Sequence, residues 1–136
     1  MSHSMIASRK FAEAYNGMSL DALENLLAED ATAQVLGTGW PEEKGSRQIR
    51  KISLSHILGL GGGTDPLVAE AWAEGEKHYV LLLDKENRTL DTAIRIHCAD
   101  GGADKIQRLA YLVLGHQHQE LSRIGAKAGV ALKPVD

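Results

Sequence analysis

Five consecutive apolar residues, Tyr79-Val80-Leu81-Leu82-Leu83, constrain this chain more than any other stretch. The run is short for a buried helix, and as a strand it is apolar at every position, so both of its faces have to be covered. It predicts a central strand with material packed above and below it. The flanking sequence predicts strands too. Leu67 to Glu74 sets Val68 and Trp72 among small and acidic residues, and Gly75-Glu76 turns the chain. Leu90 to Cys98 alternates, with Thr92, Ile94, Ile96 and Cys98 on one face and Asp91, Ala93, Arg95 and His97 on the other. Lys85 to Arg88 is the intervening turn, with Asn87 suited to a left-handed backbone. Asp100-Gly101-Gly102 marks a hairpin into a last strand, Lys105 to Gly115.

The N-terminal third is helical in pattern. Met5, Ser8, Ala12 and Tyr15 fall on one face of a helix reaching Asn16, with Phe11 beside them and Gly17 as its stop. Ser19 is placed to cap a second helix, and Asp21 sits favourably in its first turn. Leu20, Leu23, Leu26 and Leu27 form its buried stripe, and its end is expected near Glu29-Asp30. Ala31 to Gly37 predicts a first strand, and Gly37 to Pro41 a loop. Gly45-Ser46 opens a third helix with Ile49, Ile52, Ser53 and His56 on its inward side. The glycines from Gly59 to Gly63 end it. They come after a helix and lack a Gly-Lys-Ser/Thr ending, so they read as a helix stop and not as a phosphate loop. Helices first and a meander of strands after them argue α+β and exclude a parallel βαβ sheet. One domain is expected over residues 1–115, with 116–136 a C-terminal extension that forms a short helix or a tail.

A chain of 136 residues holds one core. The net charge is −3 and the basic residues are scattered, which argues against nucleic acid as a partner. No apolar run approaches the roughly 18–20 residues of a membrane span, and the first residues lack the pattern of a signal peptide. The single cysteine, Cys98, allows no internal disulfide and fits a reducing, cytoplasmic setting. It reads as a small buried hydrophobe, since His97 beside it points to the other face of the strand. His116 and His118 make two ligands where zinc takes three or four, so neither metal nor cofactor is expected.

Leu20-Asp21-Ala22-Leu23 followed by Leu27-Ala28-Glu29-Asp30-Ala31-Thr32-Ala33 resembles the helix-to-strand signature of the nuclear transport factor 2-like superfamily, which includes ketosteroid isomerases and SnoaL-like cyclases. Gly45-Ser46-Arg47-Gln48-Ile49 resembles its next landmark. Asp100-Gly101-Gly102 with Lys105 to Tyr111 is similar to its last hairpin. The resemblance implies a cone, with three N-terminal helices packed on a curved antiparallel sheet around an apolar pocket. It also implies a homodimer made through the outer sheet face, where Asp91, Arg95 and His97 are expected. The ketosteroid isomerases use an Asp base, a Tyr and a second Asp. Those positions fall here on Val35, Phe11 and Ile94, or on Arg95 if the register slips by one. None of Val, Phe or Ile moves a proton, so that route is closed.

The expected function is binding of a small, mostly apolar molecule in the cone, with acid–base chemistry from His56 and Tyr15. The expected lining is Phe11, Val35, Trp40, Ile52, Tyr79, Leu81, Thr92, Ile94 and Leu112. Two rival readings are a non-catalytic dimeric association module and an epoxide hydrolase-like enzyme, the latter needing paired acids and an Arg inside the cone.

Overall fold

The structure is a computed structural model that describes residues 2–59, 66–99 and 105–134. Residues 60–63 of the predicted helix stop and the Asp100-Gly101-Gly102 turn lie outside the described residues. Helix α1 spans His3–Asn16, capped by the Ser2 hydroxyl, which accepts from the Met5 amide. Helix α2 spans Leu20–Asn25, with the Ser19 side chain accepting from Ala22. It is shorter than its leucine stripe suggests, because Leu27 already begins strand β1 (Leu27–Val35). Strand β2 is only Glu43–Lys44.

The third helix is a composite: α3 (Ser46–Ile49), a π turn over Arg50–Leu54, and α4 (Ser55–Ile57). It enters the chain after β1 and β2, so the helices are not a single N-terminal block of three. Strands β3 (Leu67–Glu74), β4 (Lys77–Asp84), β5 (Leu90–Cys98) and β6 (Ile106–Val113) come next, and α5 (His118–Ala128) closes the described chain.

Among the described residues the six strands make one sheet in the order β2-β1-β6-β5-β4-β3. All pairings are antiparallel except β1 with β6. That parallel pair arises because the chain crosses the sheet between β1 and the meander. The β3 edge is partly closed by Asn16, whose side-chain amide donates to the Ala69 carbonyl at 2.9 Å and accepts from its N–H at 2.8 Å. A side chain thus stands in for one missing strand partner.

Both faces of the sheet are covered, as the apolar run in β4 requires. On one face Phe11, Leu23, Ile49, Leu54, Val80, Leu82, Ile94 and Leu109 form the larger core. On the other, Leu121 and Ile124 of α5 sit on Tyr79, Leu81, Leu83, Ala93 and Leu112. Both α5 residues are fully buried; each contributes about 1.5–3 kcal/mol of burial. Glu74 accepts from Arg123 at 2.7 and 2.9 Å and so pins the helix to β3. Beyond α5, Leu132 forms a bridge beside Leu90, with Leu90 N–H donating to Ala131 at 2.7 Å.

Three expected lining residues therefore face away from the helical side. Tyr79 and Leu81 belong under α5, and a bulge is the reason. Leu83 pairs with Leu90, but Leu82 pairs with Thr92, so Asp91 is the extra residue. One inserted residue exchanges the two faces of the partner strand. Leu112 also faces α5, because Ile94 pairs with Tyr111 and it is the odd-numbered residues Leu109 and Tyr111 that share its face.

Candidate functional site

The π turn sets the geometry of the site. An unbroken α-helix would bring Ile49, Ile52, Ser53 and His56 to one side. A π turn takes i→i+5 bonds and rotates the rest of the helix by about one residue. Ile49, Ser53, Leu54 and Leu58 are accordingly buried, whereas Ile52 is 49% exposed and His56 is also exposed. The expected inward placement of His56 and Ile52 is corrected on that ground.

Ser53 is at the centre of a polar chain. Its N–H donates to Glu43 Oε1 at 3.3 Å. Its Oγ lies 2.8 Å from the Tyr111 hydroxyl and 3.3 Å from the Ile49 carbonyl. Between Ser53 Oγ and the Tyr111 hydroxyl either oxygen can be the donor. Glu43 comes from β2, where its cross-strand partner Ala33 points into the core. Burial pushes the Glu43 carboxyl above its ordinary 4.5, while the Ser53 hydroxyl and amide pull it part of the way back. Burial likewise raises the Tyr111 phenol; the hydrogen bond to Ser53 opposes this and the Glu43 charge adds to it. Raised carboxylate pKa values and widened helical turns are both frequent at functional sites, and here Glu43 and Ser53 bring the two together.

Around it stand several residues expected from the sequence. Val35 is partly buried against the core and pairs with Tyr111. Trp40, three residues before Glu43, is 72% exposed, and Ile52 adjoins Ser53. The Trp40 N–H donates to Thr38 Oγ1 at 3.2 Å. Deeper in, Phe11, Thr92 and Ile94 are buried on the helical face. Tyr15 is buried there too, and its hydroxyl donates to the Ile57 carbonyl at 2.9 Å. Burial first, and the charge of Asp91 second, push its pKa to about 12.

Asp91 leaves the exposed row where it was expected. It accepts from Thr92 Oγ1 at 2.7 Å and lies 3.5 Å from Lys133 Nζ. Arg95 and His97 are exposed on the face away from the helices, so Asp91 and Arg95 do not meet inside the cone. Two cavities lie elsewhere. One, of about 80 Å³, is between α1 and β3 beside His78, and one of about 470 Å³ lies between the β4–β5 turn and Lys133-Pro134. Among the described residues no three His, Cys, Asp or Glu side chains gather as metal ligands, and no helix is long and apolar enough to cross a membrane.

Sequence periodicity places Ser53 on the inward helix face but gives it no role, and it passes over Glu43 and Tyr111. No local signal gives Tyr111 its place either: Cys98 pairs with Ile106, and only the irregularity at Gln107 shifts the register so that Ile94 meets Tyr111. Nothing local singles out Glu43, one of three charged residues in the row Glu42-Glu43-Lys44.

No family model matches the sequence, and no curated protein matches it. Solved structures do. A steroid delta-isomerase from Pseudomonas aeruginosa aligns over 94% of this chain and 95% of its own, with 14% identity and a TM-score of 0.61. A SnoaL-like protein of unknown function from Burkholderia thailandensis aligns over 83% and 95%, with 14% identity and a TM-score of 0.58. An LEH-like epoxide hydrolase of M. tuberculosis aligns over 93% and 96%, with 14% identity and a TM-score of 0.53. With the curved sheet, the helices on one of its faces and the strand order described above, these likenesses show that the chain has the nuclear transport factor 2-like, SnoaL-like α+β fold.

Proposed function

We propose that this chain binds a small, largely apolar molecule at the end of the cone marked by Glu43, Ser53 and Tyr111. The observation that carries the reading is the half-buried Glu43 carboxylate, held at the π turn with its pKa raised. An apolar wall with a few convergent polar groups is the general form of a small-ligand site. Trp40 and Ile52 provide exposed apolar surface at the rim, and Val35, Phe11, Thr92 and Ile94 the wall behind it. Glu43 accepts a hydrogen bond, or takes a proton, from the bound molecule, while the Ser53 amide holds the carboxylate in place. Tyr15 is the second candidate donor. His56, turned to solvent, stands outside this proposal.

The test is an NMR titration with a panel of cyclic ketones and phenols, following the Ser53 amide and the Trp40 indole. Saturable shifts at both, lost in Glu43→Gln, support the reading. Shifts confined to the α1–β3 cavity or to the β4–β5 turn overturn it.

A non-catalytic association module is the second reading. Among the described residues every buried side-chain nitrogen and oxygen already has a partner. Phe11, Leu54 and Ile94 are fully buried, which suits a filled core. Absence of any ligand-dependent shift in the same titration would favour this reading.

A further inference from the structure

The half of the outer sheet face that α5 leaves open carries a row of basic side chains. Lys44 of β2 pairs with Thr32 of β1, Thr32 with Arg108 of β6, and Arg108 with His97 of β5. One row along, Gln34, Ala110 and Arg95 lie in register. Lys44, Arg108, His97 and Arg95 are all exposed, and none makes an ion pair among the described residues. The other outward positions of this patch are Thr32, Gln34 and Ala110, and the exposed Glu42 and Asp30 border it, each two residues along the chain from Lys44 and Thr32. The nearby Asp30, in the irregular first half of β1, has its carboxylate on the Gln107 amide at 3.3 Å. Bringing basic side chains together across neighbouring strands is unfavourable unless something balances them.

We propose that this face docks an acidic peptide segment of a partner protein. Three strand gaps of about 4.8 Å give a row about 14 Å long, enough for a few carboxylates. A two-fold contact centred on this row would set its basic side chains against themselves. A single-stranded nucleic acid also fits poorly. The four strands present no exposed aromatic for base stacking.

The experiment is fluorescence anisotropy of a fluorescein-labelled deca-glutamate peptide with the full chain. Expected are binding at 20 mM NaCl, a loss of roughly tenfold or more by 200 mM as surface charges are screened, and a further loss of tenfold or more in Arg95→Glu/Arg108→Glu. Arg95→Gln/Arg108→Gln is the milder variant if charge reversal impairs folding, and Lys10→Glu on exposed α1 should change affinity less than twofold. Four results overturn the proposal: no binding at low salt, equal loss in Lys10→Glu, tighter binding of a deca-thymidine strand, or a dimer by light scattering that Arg95→Glu/Arg108→Glu dissociates.

Discussion

Ser53 shows how much one side chain decides in this fold. Its hydroxyl is the partner of a fully buried Tyr111 phenol, and its amide holds Glu43. Ser53→Ala leaves the phenol unsatisfied and should lower stability by about 1–3 kcal/mol, whereas Tyr111→Phe removes the polar group itself and should cost about 1 kcal/mol or less; chemical denaturation separates the two. Glu43 gives a pH signature. Its folded pKa lies above the unfolded value, so the native state binds the proton more tightly. The stability this contributes is present below the ordinary 4.5 and is lost as pH rises through the raised value. Glu43→Gln should therefore flatten the fall in stability over that window; an unchanged profile would show that Glu43 is solvated. All three tyrosines have raised pKa values, Tyr15 reaching about 12. Tyrosinate absorbance at 295 nm should then lag well behind the ordinary value near 10 and rise mainly as the chain unfolds in alkali.

At the scale of elements, the sequence made legible whatever local periodicity encodes. The caps at Ser19 and Gly17, the α1 stripe and the alternation of Thr92, Ile94, Ile96 and Cys98 all derive from it. Three insertions in the pattern were not legible, one of them the extra residue Gln107 that sets the faces of β6. The π turn at Arg50–Leu54 turned His56 and Ile52 outward, and the bulge at Asp91 sent Tyr79 and Leu81 to the other face. Each is a single-residue change of phase, and no composition or turn signal announces it. Helix α5 carries its own prediction. A Cβ at Gly125 would come within 2.7 Å of the Val130 carbonyl, a backbone atom that cannot swing aside. Gly125→Ala should lower the Tm and loosen the Leu90–Leu132 bridge, seen as faster amide exchange at Leu90. Leu121→Ala should cost about 2–5 kcal/mol, because Leu121 is fully buried against the sheet.

For the whole molecule, the two-sided burial of β4 was foreseeable from five apolar residues, but the identity of the second cover was not. The outer face divides between α5 and an exposed basic row. That row comes from β2, β5 and β6, so basic residues that look scattered along the chain converge only on folding. The polar site is assembled in the same way, from β2, the π turn and β6. Native mass spectrometry of the purified protein beside Glu43→Gln puts the ligand site to the test. A discrete small-molecule adduct on the wild-type chain is expected, one that the variant loses while keeping its fold. An unliganded mass in both, or an adduct the variant retains in full, would rule out a ligand site built on Glu43, Ser53 and Tyr111.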